Sequence, residues 1–384
     1  MNVSKRLDDL RVYIESEGFK GYDPYDALNS PLLKVLSRSW RWARIACIQG
    51  FKGLHLNIRP LLGIKKNYNP KGLGLLLWGY TKLYRIEPRP EYLKTIDVLL
   101  NKLDELKSHN CSGHSWGYPF DWQSRVFYIP KFIPTVVNSA FIGHALLDAW
   151  RYARREQALY LAVPIKDFIL RDLNRLETGA GICFSYTPVD RYFVHNANLL
   201  GASLLIRLFD ITGDKELKTA ALAALIYSMS HQREDGSWFY AEREGSHWID
   251  SFHTGFILQS IRYFLDGGYD SKRTEAFNKG VAFYRNSFFL TNGTPKYYPN
   301  QIFPIDIHCP AQAVVFFSRM GEEFQQFTDR ILRWMVLNMQ DKAGFFYFRK
   351  HRFFTNRIPY MRWSQAWAFH ALTEYYFSQN MGKT

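Results

Sequence analysis

The sequence predicts an all-α chain whose helices close into a ring, an (α/α)6 toroid of six inner and six outer helices with short aromatic hairpin loops at the mouth of a central cavity. Three observations carry this: a repeat of about 55 residues, segments that are apolar almost all round, and amphipathic segments between them.

The repeat is marked by aromatic clusters that end in tyrosine. They are Trp116-Gly117-Tyr118, Phe184-Ser185-Tyr186, Trp238-Phe239-Tyr240, Lys296-Tyr297-Tyr298 and Phe345-Phe346-Tyr347. Each leads, 10 to 20 residues on, into a long apolar segment. Those segments start at Asn138, Asn196, His253, His308 and Trp363, at spacings of 58, 57, 55 and 55 residues. Asn69, ahead of Pro70 and Gly72-Leu73-Gly74-Leu75-Leu76-Leu77-Trp78, marks a sixth start.

The apolar segments mix small residues (Ala140, Gly143 and Ala145; Ala197, Gly201 and Ala202) with Phe and Leu, which suits helices buried on more than one side. Amphipathic helices are predicted near 91–108, 156–176, 214–231, 271–288 and 322–340, with Asp214 and Ser271 as N-caps. Six inner helices thus have five partners after them. The sixth outer helix must come from upstream, from residues 5–14 or 31–48, and that arithmetic closes a ring. An open solenoid would expose inner helices this apolar. The predicted organisation is a basic segment, 1–68, that supplies an outer helix, and a toroid domain, 69–384.

The net charge of +14 is concentrated. No acidic residue occurs between Asp26 and Glu87, a stretch that holds eleven lysines and arginines together with Trp40, Trp42, Phe51, Leu54, Leu56, Leu61 and Leu62. Such a mixture suits an anionic membrane surface or an acidic or lipid-linked glycan across residues 27–86. No nucleic-acid-binding signature accompanies the charge, so nucleic acid is not expected as a partner. Residues 1–9 carry no apolar signal core, no apolar run reaches membrane-spanning length, and Cys47, Cys111, Cys183 and Cys309 form no C-x-x-C pair. The expected location is the cytoplasm, peripheral to the inner membrane.

On these residues the chain resembles the α/α-toroid proteins: six-hairpin glycosidases, polysaccharide lyases, sugar epimerases and terpenoid cyclases. Gln232-Arg233-Glu234-Asp235-Gly236-Ser237-Trp238 is similar to the tail of the QW repeat of terpene cyclases, and Gln340 to Phe346 is a degenerate copy. The cyclases' D-x-D-D motif is absent. The rhythm extends over about 70–378 and is similar to toroids of polysaccharide biosynthesis, such as the helical domain of glucuronyl C5-epimerase. The resemblance implies a carbohydrate-active enzyme.

In such a ring the loops before the inner helices surround the cavity mouth. Candidate catalytic residues in and after them are His195, His253, His308, Tyr186, Tyr240, Tyr298, Asp190, Asp250 and Asp306. Candidate substrate-binding residues are Asp121, Trp122, Arg125, Asn138, Arg191, Asn196, Arg243, His247, Trp248, Arg362 and Trp363. Aromatic rings stack on sugar faces, arginine grips a uronate carboxylate, and His or Tyr exchanges the proton that this carboxylate acidifies at C5. Epimerase or lyase chemistry is therefore expected, in polysaccharide biosynthesis or modification. Paired aspartates would instead make a glycoside hydrolase. A polyprenyl-binding, prenyltransferase-like toroid and a non-catalytic glycan-binding toroid remain alternatives. No cofactor is expected, since P-loop and dinucleotide fingerprints are missing, and no metal, since Asp306-x-His308-Cys309 has the wrong spacing for a zinc triad.

Overall fold

Inner helices begin where a polar side chain meets the first free backbone N–H groups. Asn69 accepts from Lys71 N at 3.1 Å, Thr135 from Asn138 N at 3.0 Å, and Asp250 from His253 N at 3.1 Å. The computed structural model describes residues 1–38, 40–123 and 128–381. Helix α1 (Val3–Ser16) is followed by the short α2 (Pro31–Ser37) and α3 (Arg41–Gly53). Inner and outer helices then alternate. They run through inner α4 (Pro70–Ile86), outer α5 (Pro90–Glu105), inner α6 (Val136–Ala153), and outer α7 (Glu156–Ala162) with α8 (Ile165–Asp167). Next come inner α9 (His195–Thr212), outer α10 (Lys215–Ser230), inner α11 (Ser251–Asp266) and outer α12 (Thr274–Phe288). Inner α13 (His308–Phe317), outer α14 (Gln325–Met339) and inner α15 (Trp367–Met381) complete the order, a π turn at Met361–Ala366 leading into α15. Asp214 caps α10 through Glu216 N at 3.0 Å. Ser271 does not cap α12: it opens a 3-10 turn, Ser271–Arg273, and α12 begins at Thr274.

The inner helices pack around a closed circuit: α4 on α6, then α9, α11, α13 and α15, which returns to α4. Glycines set how closely they approach. A Cβ at Gly143 would lie 2.5 Å from Leu204 Cδ2, and one at Gly255 2.6 Å from Gln312 Cγ. α1 lies on α15 as the sixth outer helix.

The two glutamine motifs tie neighbouring outer helices together. Gln232 Nε2 donates to Gly236 O at 3.0 Å and to Ala276 O of α12 at 2.8 Å. Gln340 Nε2 donates to Gly344 O at 3.0 Å and to Arg6 O of α1 at 2.9 Å. Gly236 and Gly344 sit at φ +88° and +96°, and Gly344 presses on the Asp9 carbonyl so closely that a Cβ would meet it at 2.3 Å. The second clasp fastens the last hairpin to the first helix.

The C-terminal halves of the inner helices are sealed by a buried polar plug. Glu374 accepts from Arg319 Nη2 at 2.8 Å and pairs with Lys82 Nζ at 2.8 Å. Asp148 accepts from Arg207 Nη2 at 2.5 Å and Trp78 Nε1 at 2.6 Å, and Trp78 stacks on His370 at 4.6 Å. The opposite end, where the inner helices start, stays open.

Hairpins and α2–α3 surround that opening. Strands β1 (Trp122–Gln123) and β2 (Tyr128–Ile129) pair, as do β3 (Arg175–Thr178) and β4 (Gly181–Phe184). Strand β5 (Ile305–Asp306) pairs with β6 (Arg349–Lys350), and β6 with β7 (Thr355–Asn356). Helices α2 and α3 have a small core of their own from Ala27, Leu28, Ile48, Phe51 and Ile64. They are anchored to the rim by Arg44 Nε to Gln123 Oε1 at 3.0 Å and by Asn356 Nδ2 to Leu54 O at 2.7 Å.

Candidate functional site

The open end holds a cavity of about 390 Å³. Four of the five cluster tyrosines line it: Tyr118, Tyr186, Tyr240 and Tyr298. The aromatic two positions before Tyr points the other way. Trp116 Nε1 donates to Leu103 O at 2.8 Å and Trp238 Nε1 to Ser228 O at 2.9 Å, so each indole bonds back to the preceding outer helix. Tyr347 breaks the rule, its hydroxyl donating to Asp341 Oδ2 at 2.6 Å.

His253 and His308, from consecutive inner helices, face this cavity. His253 Nδ1 donates to Asp250 Oδ2 at 2.7 Å, which in the neutral imidazole leaves Nε2 as the acceptor. The second oxygen of Asp250 caps α11, so one buried carboxylate fixes both the helix start and the tautomer. His308 lies face to face with Phe252 at 4.5 Å, against Trp367 at 4.3 Å and on the edge of Trp363 at 4.8 Å. Neither of its nitrogens meets a hydrogen-bond partner among the described residues. Burial, reinforced by the nearby Lys71, Arg362 and His253, drives its pKa well below the ordinary imidazole range, so it is neutral.

Lys71 also lines the cavity, with Nζ 4.3 Å from the Phe141 ring centroid, and burial drives its pKa well below that of an ordinary lysine. Arg362 is held by Asp23 at 2.6 and 2.8 Å and lies over Tyr118 at 5.1 Å. Arg349 is held by Asp306 at 2.7 Å. Asp250 is the one carboxylate lining the cavity among the described residues. Burial raises the Tyr186, Tyr240 and Tyr297 hydroxyls well above their ordinary range, so these are donors at neutral pH.

No protein-family profile matches the chain, and no curated protein matches it in sequence. Solved structures do. A cellobiose 2-epimerase from Bacillus thermoamylovorans B4167 matches with a TM-score of 0.64 over 81% of this chain and 88% of that one, at 16% identity. A GH76 α-mannanase of Bacteroides thetaiotaomicron matches at 0.64 over 82% and 88%, at 13% identity. An inactive variant of the GH76A α-1,6-mannanase of Salegentibacter sp. HEL1_6, in complex with α-1,6-mannotriose, matches at 0.60 over 82% and 90%, at 12% identity. The chain is an (α/α)6 toroid.

The toroid brings together His253, His308, Asp250, Tyr186, Tyr240 and Tyr298, with Trp122, Asn196, Trp248, Arg362 and Trp363. Other sequence candidates lie elsewhere. His195 starts its helix but turns outward: its Nε2 meets Glu242 Oε1 at 2.7 Å and its ring stacks on Tyr227. Asp190 braces a turn, accepting from Thr187 Oγ1 at 2.6 Å and Tyr192 N at 2.8 Å. Asp306 stands behind the cavity wall, accepting from Trp363 Nε1 and Arg349 Nε at 2.7 Å each, so it positions cavity residues without lining the cavity. Asp121 accepts from Lys131 N and holds Lys34 at 2.8 Å each. Asn138 is buried away from the cavity, Arg191 and Arg243 are exposed, and His247 is exposed and stacks on Phe239. Arg125 lies outside the described residues.

Lys71 and Asp23 were not among the sequence candidates. Lys71 had a signal: it is the lone charge at the head of an inner segment otherwise free of charge up to Trp78. Asp23 had none, because its partner Arg362 is 339 residues away.

Proposed function

We propose that this chain is a carbohydrate-active enzyme that transfers a proton at a sugar carbon made acidic by a neighbouring carboxylate or carbonyl, in the manner of an epimerase or lyase. The observation that carries this is the pair of unlike imidazoles in one cavity, His253 oriented by Asp250 and His308 neutral and without a hydrogen-bond partner among the described residues. His253 Nε2 is the base. Its imidazolium, once formed, is stabilised by Asp250. A tyrosine hydroxyl supplies the proton that completes epimerisation, or assists the leaving oxygen in β-elimination, and its phenolate regains a proton from the His253 imidazolium through water; neutral His308 offers the substrate a hydrogen bond. Tyr118, Tyr186, Tyr240 and Trp363 offer stacking faces and hydroxyl donors for a sugar.

The substrate is an anionic glycan, either uronate-containing or carried on a lipid pyrophosphate. Of the basic groups lining the cavity, Arg362 holds Asp23 and Arg349 holds Asp306, and a bound anion would draw a proton onto buried Lys71. A double-carboxylate hydrolase fits less well. The inactive mannanase has two adjacent aspartates replaced, whereas the one adjacent aspartate pair here, Asp8–Asp9, is on outer helix α1. A second reading, a polyprenyl pyrophosphate in the cavity, is favoured by the aromatic lining with one acid.

Incubation with uronate-containing oligosaccharides in deuterated water tests the proposal. Deuterium entering the ring carbon next to the carboxylate, or unsaturated ends, is the expected result, lost in His253→Ala and His308→Ala. New reducing ends without deuterium would transfer the chain to the hydrolases. Turnover of polyprenyl pyrophosphate alone would favour the second reading.

A further inference from the structure

The rim of the cavity carries apolar side chains that the fold leaves in water. Val35, Leu36, Trp40, Trp42, Leu61 and Phe353 are between 62% and 88% exposed. They belong to separate elements that the tertiary structure joins. Helix α2 turns only Leu33 and Ser37 inward, so its remaining apolar surface has no partner among the described residues. The turn at Pro60–Leu62 lies against the start of α2, where a Cβ at Gly63 would be 3.6 Å from Pro31 Cδ. The β6–β7 hairpin, with Phe353 at its tip, joins the same edge: Phe354 meets His55 at 5.5 Å and Asn356 bonds to Leu54 O. α3 itself reaches into the cavity with Gln49 and Lys52.

The charge on this edge has one sign. Lys34, Arg38, Arg41, Lys65, Lys66 and Arg352 are exposed among the apolar tips, and residues 27–86 contain no acid. Lys34 and Lys66 hold Asp121 and Glu17, which belong to other segments. The apolar tips come from several elements, and two of them are tryptophans. They match a headgroup layer, into which apolar tips insert while basic side chains meet anionic lipid. Among the described residues no helix is long and apolar enough to cross a membrane.

We propose that this rim docks the toroid on an anionic bilayer with the cavity mouth toward the lipid. The reading of the site enters only in naming what the docked cavity receives, an anionic glycan carried on the membrane. Docking would bring such a substrate to the mouth by diffusion in two dimensions.

The test is flotation of the full chain with phosphatidylcholine vesicles, plain or with a third of the lipid replaced by phosphatidylglycerol. The expected result is partitioning onto the anionic vesicles alone, weakened by salt, and weakened about tenfold or more in Val35→Asp/Leu36→Asp and in Trp42→Ser. These positions are exposed, so thermal melting and turnover of a soluble oligosaccharide should match the parent chain. Equal binding to both vesicle types, or binding indifferent to the substitutions, overturns the proposal. So does a parent dimer that ignores vesicles and that the substitutions convert to monomer, which would give the face to a second copy. Vesicle binding is scored without substrate. A chain that docks but turns over no glycan therefore refutes the function alone, and one that turns over glycan but ignores both vesicle types refutes the docking alone.

Discussion

Replacing Asp250 by asparagine separates two tasks that one side chain performs. Its Oδ1 accepts from His253 N at 3.1 Å and caps α11, and its Oδ2 accepts from His253 Nδ1 at 2.7 Å. Asparagine is as good an N-cap as aspartate, so Asp250→Asn should change helix stability by only a few tenths of a kcal/mol, roughly, and leave the melting temperature nearly unmoved. The amide loses the charge that steadies the imidazolium, and it can present an N–H where the carboxylate accepted one. His253 would then be driven to the tautomer whose Nε2 carries the hydrogen, which cannot act as base. By the precedent of carboxylate-oriented histidine bases, kcat should fall about 10²–10⁴-fold, roughly 3–5 kcal/mol of barrier. The assay is deuterium wash-in with and without the substitution, alongside a melting curve. A kcat within about threefold of the parent chain would show that His253 is not the base.

His195→Ala should leave turnover within about threefold of the parent, because that ring faces Glu242 and Tyr227; a complete loss would return His195 to the chemistry. Lowering the pH should destabilise the fold from about 6.5 downward. His144, His308 and His370 are buried neutral with pKa values well below the ordinary one, so the unfolded chain takes up protons that the folded chain refuses. Each would remove at most about 1.4 kcal/mol per pH unit. Asp26, pushed up to about 6 by burial, works in the opposite direction, and a melting temperature flat between pH 7 and pH 5 would contradict the balance. Glu374→Gln strips the buried carboxylate from Lys82 and Arg319 and should destabilise by about 3–5 kcal/mol, read by denaturant titration; a loss below about 1 kcal/mol would show that the plug is not energetically coupled. Gly344→Ala places a Cβ 2.3 Å from Asp9 O at φ +96° and should loosen α1 first, visible as faster amide exchange in residues 3–16 than in α9.

Much of the ring was legible from the sequence because its signals are local. The spacing of Asn138, Asn196, His253 and His308 reflects one hairpin of fixed length. An apolar segment with no polar stripe has to be buried on all sides, and six of them can be so buried only around a common centre. The cluster tyrosines announced the cavity through the same regularity, a Trp bonded backward and a Tyr two residues on. The shortage of a sixth outer helix was an arithmetic fact, but the choice of residues 3–16 over 31–48 rested on Gln340 and Gly344 meeting Arg6 and Asp9, contacts across more than 330 residues.

The histidines show the limit. His195, His253 and His308 all sit at or near inner-helix starts, and the sequence treats them alike. Near the start of a helix one residue of offset rotates a side chain by about 100°, enough to turn it from the cavity to the outer layer. His195 stands one residue ahead of the repeat position that Asn196, His253 and His308 occupy; those three line the cavity, whereas His195 points to Glu242. Periodicity and polarity therefore determined the ring, its number of layers and which end is open. Which polar side chains face inward, which carboxylates already have partners, and where the basic segment comes to rest were decided only by tertiary packing, because those depend on rotation about helix axes and on contacts between residues far apart in the chain.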